Sequence, residues 1–217
     1  YVAHDAVDRF ENIELNKTKP GQDIPDIYYA VYQNIIAISL FNHEAHLFSH
    51  IYDGDHNLTD IEVLLQAKNN SHFDFEKVGE KSSNLSDEQF INFVKKGKEH
   101  CFRGDVFQLV LSRCFSQGFK GDEFNVYRTL RSINPSPYLF FFDYGYFKIF
   151  GSSPEAQLIV QSGKAEIHPI AGTFRRTGND EKDSEAAGLL AKDPKENSEH
   201  VMLVDLARND LSRNGSE

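Results

Sequence analysis

Residues 195–213 read Lys-Glu-Asn-Ser-Glu-His-Val-Met-Leu-Val-Asp-Leu-Ala-Arg-Asn-Asp-Leu-Ser-Arg, and this stretch predicts a long helix with a well-marked start. Asp193 is a suitable N-cap, Pro194 suits the first helical position, and Glu196 is placed to complete a capping box. Beyond its first turn the stretch is apolar on most sides, which is typical of a helix buried inside a larger body. We therefore expect the rest of the fold to pack around it.

Two carboxylates, Glu196 and Glu199, lie in the first turns of this predicted helix and share one face. Their spacing alone leaves two interpretations open. In the first, Glu196 is a cap and Glu199 is solvated or paired, since acidic residues complement the positive end of a helix dipole. In the second, they form a site for Mg²⁺, which is usually held by one or two carboxylates together with water and ligand oxygens.

The bulk properties of the chain restrict its class. Its 217 residues, 40% of them hydrophobic, fit one globular domain or part of a larger one. A net charge of −10 argues against a nucleic-acid partner, which demands clustered Lys and Arg. The absence of a signal peptide and of a long apolar run predicts a cytoplasmic protein with no membrane partner. Only Cys101 and Cys114 are available, so no disulfide framework is expected.

Strand and helix patterns alternate in groups along the chain. Period-two runs at 28–41 and 46–52 predict a hairpin, and Ser86-Asp-Glu-Gln89 predicts a capped helix. Further strands are predicted at residues 106–115, 138–143, 146–150, 157–161 and 164–168, and further helices at 60–68, 123–133 and 181–190. Residues 69–84 are polar and broken, which predicts a mobile loop. Hairpin-linked strands with helices between the groups indicate an α+β fold with antiparallel sheets.

Five groups of motifs follow one another in a fixed order. They are Gln108-Leu-Val-Leu-Ser-Arg113, Asn134-Pro-Ser-Pro-Tyr138, Gly151-Ser-Ser-Pro-Glu155, Pro169-Ile-Ala-Gly-Thr173, and Lys195-Glu-x-x-Glu-His200 with Asp205-Leu-Ala-Arg-Asn-Asp210. The ordered set resembles the chorismate-utilising enzymes and, within them, component I of anthranilate synthase. The resemblance covers nearly the whole chain and is dense from 108 to 213.

The resemblance implies a fold and a reaction. The fold is a sandwich of antiparallel sheets packed against each other with flanking helices, of which residues 1–217 would form a single domain, truncated at both ends. The reaction converts chorismate and ammonia into anthranilate and pyruvate for tryptophan biosynthesis, with Mg²⁺ as cofactor. A glutamine amidotransferase subunit, component II, would supply the ammonia, and tryptophan would be a feedback inhibitor.

The resemblance also assigns roles to residues. Glu199 matches a metal ligand with Glu196 beside it, and Gly172 and Thr173 match positions that hold chorismate. Glu155 matches the general acid that protonates the departing ring hydroxyl. A useful acid at neutral pH needs a raised pKa, so we expect Glu155 to be partly desolvated.

Two positions distinguish related enzymes. From the pattern alone, Gln108 is a lone polar residue in the middle of a predicted strand, either a hydrogen-bonded core residue or a site residue. Isochorismate and salicylate synthases resemble this pattern but carry a lysine there, which activates water. Many aminodeoxychorismate synthases carry a nucleophilic lysine where this chain has Ala171. Both residues favour anthranilate synthase, with aminodeoxychorismate synthase component I and a non-catalytic tryptophan- or ligand-binding module as the alternatives.

A separate tryptophan pocket is implied at Pro137, Tyr138 and Leu139, where the family often has methionine at the last position. The family also uses a second metal glutamate, a catalytic histidine, and a tyrosine and an arginine that contact chorismate, none of which we find here. We therefore expect this chain to be an incomplete and inactive part of the enzyme.

Overall fold

The structure is a computed structural model that describes residues 1–15, 24–54, 58–67 and 73–215. Its contacts divide the chain into two units, Tyr1–His72 and Phe73–Glu217, which are described separately. The single-domain organisation expected from the sequence stays a prediction. Within the described residues, no helix is both long enough and apolar enough to cross a membrane.

Within its described residues, the first unit contains a short 3-10 helix, one hairpin and one helix. Ala6, in the 3-10 helix His4–Arg9, is the one buried apolar side chain among the residues that the structure describes. The predicted hairpin is confirmed with shorter strands, β1 (Asn34–Ser39) and β2 (Glu44–Ser49), paired antiparallel. Helix α1 (Leu58–Gln66) follows close to its predicted position.

The second unit contains three two-stranded antiparallel sheets and four helices within its described residues. Its elements are β3 (Phe75–Ser83), α2 (Asp87–Arg103), β4 (Phe115–Gly121), α3 (Phe124–Ile133), β5 (Tyr138–Asp143), β6 (Lys148–Ser153), β7 (Ile159–Gln161), β8 (Lys164–Glu166), α4 (Asp180–Leu190) and α5 (Pro194–Asn214). The pairs are β3 with β4, β5 with β6, and β7 with β8. These antiparallel sheets with helices between them confirm the α+β class.

Local signals fix the ends of the helices. Ser86 Oγ accepts a hydrogen bond from the Gln89 backbone N–H at 3.2 Å, and Gln89 Oε1 accepts one from the Ser86 N–H at 2.8 Å, so the predicted capping box of α2 is present. At the start of α5, Asp193 Oδ1 accepts from the backbone N–H groups of Lys195 and Glu196 at 2.9 and 3.0 Å. The Asp193 N–H donates to the Leu190 carbonyl and not to the Glu196 side chain, so the capping box predicted for this helix is not formed.

Helix α3 packs on the β5–β6 hairpin through an aromatic cluster. The Phe141 ring lies 5.0 Å from Phe124 in an edge-on arrangement and stacks on Phe150 at 5.5 Å, and Tyr127 contacts both Phe124 and Phe141. Such pairs add about 0.5–1.5 kcal/mol each beyond their area burial. At the edge of this cluster the ammonium of Lys148 binds the Glu123 carboxylate, which lowers the pKa of Glu123.

Two sequence predictions on the second unit are wrong. Residues 106–114 do not form a strand: the observed strand begins only at Phe115, and Phe107 is 95% exposed. An apolar run becomes a strand only where another strand can pair with it, and no described strand lies beside 106–114. Conversely, the polar residues 75–83, expected to be part of a loop, form β3 because β4 supplies its hydrogen bonds. The mobility predicted for 69–84 stays a prediction, and residues 69–72 lie outside the described residues.

Helix α5 is less buried than its composition predicts. None of its described residues is fully buried, and Val201 and Leu206 are 66% and 53% exposed. One stripe is half-buried and contains Glu196, Glu199, Met202, Leu203, Ala207 and Leu211. The expectation of a helix enclosed on all sides is therefore wrong for this chain, because the elements that the structure describes cover one face only.

Candidate active site

Glu155 lies just beyond the end of β6. Ser153, the last residue of that strand, pairs with Tyr138 of β5, and Pro154 then ends the ladder. The Ser153 hydroxyl accepts a hydrogen bond from the Glu155 backbone N–H at 3.3 Å and donates one to the Glu155 carbonyl at 2.8 Å. The Glu155 residue is half-buried.

A cavity of about 330 Å³ is lined by Glu155 and by residues of helix α5. This volume is at the lower end of the range, about 300–1,000 Å³, that small-molecule sites occupy. Its lining combines an apolar wall with a few polar side chains: Ile167, Pro169, Ile170, Leu203, Leu206 and Ala207 with Ser153, Glu155, Gln157 and Asp210. An apolar wall with a few convergent polar groups is typical of a small-molecule site.

Glu196 lies against the segment that carries Gly172 and Thr173, the residues predicted to bind substrate. Gly172 has φ +74°, and a Cβ atom built on it would lie 2.5 Å from Glu196 Oε2 and 3.1 Å from Leu190 Cδ1. The carboxylate therefore lies directly against the Gly172 backbone, and a side chain at 172 would collide with it. Two residues assigned to metal and substrate binding, 24 positions apart in the chain, are thus neighbours in space.

Glu199 shares the stripe of α5 that faces the cavity. It precedes Leu203 by four residues, Leu206 by seven and Asp210 by eleven, and all of these spacings return to one side of an α-helix. The rise between Glu199 and Leu203 is about 6 Å at 1.5 Å per residue. Glu199 is half-buried on this stripe, so Glu196, Glu199 and the cavity wall follow one another along one helix face.

Glu196 and Glu199 are a chemically suitable pair for Mg²⁺. The Glu196 side chain is 19% exposed, and the neighbouring cation is the exposed Lys195 ammonium, 3.4 Å from Oε1. Mg²⁺ keeps several waters and commonly takes only one or two protein carboxylates, so two glutamates are sufficient. No group of three or more His, Cys, Asp or Glu converges in the described ranges, so these residues supply no larger ligand set.

The segment that follows Thr173 is anchored to the start of α4. Asp183 accepts hydrogen bonds from the Thr177 backbone N–H at 2.7 Å and from the Thr177 hydroxyl at 2.8 Å. The backbone N–H of Thr177 is the main cause that lowers the pKa of Asp183, and the Arg176 guanidinium at 3.4 Å contributes. This anchor fixes one end of the segment that carries Gly172 and Thr173, and Glu196 lies against the segment at Gly172.

The structure does not bring every predicted site residue into this cavity. Gln108 is exposed in the irregular segment 106–114 and is not part of the cavity lining. Thr173 is exposed, and it is likewise outside the lining, as are Gly172, Glu196 and Glu199. Pro137 precedes β5, and the first two residues of that strand, Tyr138 and Leu139, pair with Ser153 and Ser152 of β6.

Three polar residues of the cavity, Ser153, Gln157 and Asp210, were not singled out from the sequence. Ser153 has its two hydrogen bonds to Glu155, and Asp210 lies on the same wall as Leu206. The Ser-Pro-Glu spacing, typical of a side-chain turn, was the signal for Ser153. For Asp210 the signal was its eleven-residue separation from Glu199, three helical turns on one face.

Comparison with known proteins identifies the family of this chain. The profile of the chorismate binding enzymes matches residues 1–217. The chain belongs to this family. Anthranilate synthase component 1 of Acetivibrio thermocellus is 32% identical over 231 residues, covering 98% of this chain and 47% of the relative. That of Methanothermobacter thermautotrophicus is 35% identical over 214 residues, covering 98% and 44%.

A solved structure supports the fold of this family member. Anthranilate synthase component I from Streptococcus pneumoniae TIGR4 superposes with a TM-score of 0.81 at 30% identity, covering 98% of this chain and 49% of that one. The α+β fold predicted by resemblance is thereby confirmed. The chain spans about half the length of the relatives that it matches over nearly its whole extent.

Proposed function

We propose that this chain acts as anthranilate synthase component 1, with the chorismate-binding part of its active site on the inner face of α5. One observation carries the proposal: the Glu196 carboxylate lies against Gly172, on the helix whose next turns form a cavity wall opposite Glu155. Relatives named anthranilate synthase component 1 support the reaction assigned. Ala171 argues against aminodeoxychorismate synthase, since alanine cannot act as a nucleophile.

The residues divide the chemistry between them. Chorismate and ammonia give anthranilate, pyruvate and water. The Glu155 carboxyl donates a proton to the ring hydroxyl, which then leaves as water, a task for which a half-buried carboxyl is suited. Gly172 presents its backbone to the substrate at a point where a side chain would collide with Glu196. Thr173 offers a hydroxyl beside it.

Glu196 and Glu199 are the residues that would hold Mg²⁺. When bound, Mg²⁺ neutralises a carboxylate of chorismate, a dianion that a chain of net charge −10 does not otherwise attract. Of the two glutamates, Glu196 lies against the Gly172 backbone. Component II is the proposed source of ammonia, and tryptophan is the proposed inhibitor, with Pro137, Tyr138 and Leu139 as its contacts.

The chain alone is proposed to bind substrate without turning it over. Leu206, on the cavity wall, is 53% exposed, so the cavity is not closed against water. Incubation with chorismate, Mg²⁺ and ammonia is expected to give no anthranilate fluorescence. Steady production of anthranilate would show that the chain is active by itself.

Calorimetry separates this function from a ligand-binding module. Chorismate is expected to bind only with Mg²⁺ present. The double variant Glu196→Gln with Glu199→Gln is expected to lose this Mg²⁺-dependent binding. Binding of tryptophan with no binding of chorismate under either condition would instead support a non-catalytic module. A Glu181→Gln variant, at the exposed start of α4, is the control for a general change of charge.

A further inference from the structure

The geometry points to Ser153 as the positioning residue that sets where the Glu155 carboxyl lies in the cavity, an inference that rests on the proposed function for the role of Glu155. One hydroxyl satisfies both backbone groups of Glu155: its oxygen accepts from the N–H at 3.3 Å, and its proton goes to the carbonyl at 2.8 Å. Both hydrogen bonds are partly buried. Ser153 also lines the cavity itself.

Glu155 needs this support because the sheet does not reach it. The β5–β6 ladder ends with the pair Tyr138 and Ser153. Pro154 has no backbone N–H and disfavours continuation of regular structure, so it provides no donor to hold the chain. In the part of the chain that the structure describes, the backbone N–H and carbonyl of Glu155 both form hydrogen bonds with the Ser153 hydroxyl. Without the hydroxyl, the backbone that carries the acid would be free to rotate.

Ser152 provides an internal comparison, because it has the same chemistry and a different target. Its hydroxyl donates to the Asn134 carbonyl at 2.5 Å and accepts from the Ser136 N–H at 3.3 Å. Both serines are half-buried and adjacent on β6. Successive side chains of a strand point to opposite faces, so one serine holds the segment before β5 and the other holds Glu155. Loss of either hydroxyl removes two hydrogen bonds, and only one loss affects the acid.

The test measures hydrogen exchange of individual backbone amides by NMR. In Ser153→Ala the Glu155 amide is expected to exchange at least fivefold faster, since a hydrogen bond contributes about 1 kcal/mol. Ser153→Thr keeps the hydroxyl and is expected to restore the slow exchange. Ser152→Ala is expected to accelerate the Ser136 amide and to leave Glu155 unchanged. Circular dichroism checks that each variant is folded, and Ser153→Thr keeps the test informative if the alanine variant is not.

Two results would overturn the inference. One is unchanged exchange at Glu155 in a folded Ser153→Ala, and the other is equal acceleration at Glu155 in Ser152→Ala, which would indicate general loosening of the hairpin. Chorismate calorimetry on the same samples tests the proposed function separately. Absence of binding by the unmodified chain would refute that function, whereas the exchange result would still decide what Ser153 does to the Glu155 backbone.

Discussion

Two regions of the second unit differ in how completely they pack. Around the β5–β6 hairpin, four aromatic rings from α3, β5 and β6 interlock, and Lys148 binds Glu123 beside them. Around α5 only one stripe is covered, and apolar side chains such as Val201 remain largely exposed. The packed region stabilises the hairpin, and at the end of that hairpin lies Glu155. The open region contains the residues proposed to bind chorismate and Mg²⁺.

The difference follows from where the partners lie in the sequence. Helix α3 and strands β5 and β6 are consecutive and joined by short turns, so a local stretch of chain supplies the whole cluster. The inner stripe of α5 finds its partners further back in the chain, near Glu155 and Gly172. Its outer face has none among the described elements. A functional surface is thus attached to a well-packed local unit.

Removing the central ring of the packed region should have the largest effect on stability. Phe141→Ala deletes a half-buried ring that contacts Phe124, Tyr127 and Phe150. We expect a loss of about 2–3 kcal/mol in unfolding free energy, at or below the usual range for a buried Phe. Val201→Ala, on the exposed face of α5, should cost less than about 0.5 kcal/mol. Urea unfolding of both variants measures the contrast, and equal losses would remove the distinction between the two regions.

A methyl group at Gly172 should have a smaller effect on stability and a specific effect on the site. Gly172→Ala forces a side chain into φ +74° and into contact with Glu196, whereas Gly178→Ala meets the same strain at φ +77° with open space around it. Each should cost about 1–2 kcal/mol from backbone strain. Only Gly172→Ala should also weaken Mg²⁺-dependent chorismate binding in calorimetry. Equal binding by the two variants would mean that the contact with Glu196 has no part in the site.

Replacement of Asp183 should have the smallest effect, on how the unfolding free energy changes at acid pH. The folded-state pKa of Asp183 is lowered, chiefly by the Thr177 N–H, so its contribution is fully present above the unfolded-state pKa of about 3.9. That contribution is lost as the pH falls through the lower folded-state pKa. Unfolding free energies between about pH 2 and 6 should therefore fall more steeply for the unmodified chain than for Asp183→Asn. Parallel curves would contradict the anchor.

The sequence predicted local features and missed those that depend on distant partners. Capping residues, the α3 helix and the limits of β5 could be read directly, since neighbouring residues determine them. The lack of a strand at 106–114 could not be predicted, because the apolar alternation there says nothing about whether another strand pairs with it. The contact of Glu196 with Gly172 follows from tertiary folding, and the resemblance to the family identified both residues without their distance. Ser153 was missed because its role depends on hydrogen bonds to a backbone rather than on a reactive group.

Paramagnetic relaxation by Mn²⁺, used in place of Mg²⁺, tests the central claim most directly. If Glu196 and Glu199 hold the ion on the inner stripe of α5, the amide signals of Gly172, Glu196 and Glu199 should broaden first. Addition of chorismate should extend the broadening to Glu155, and Glu196→Gln with Glu199→Gln should abolish it. Broadening centred instead on the acidic start of α4, with the signals of Gly172 and Glu199 unaffected, would contradict a chorismate and Mg²⁺ site on this helix.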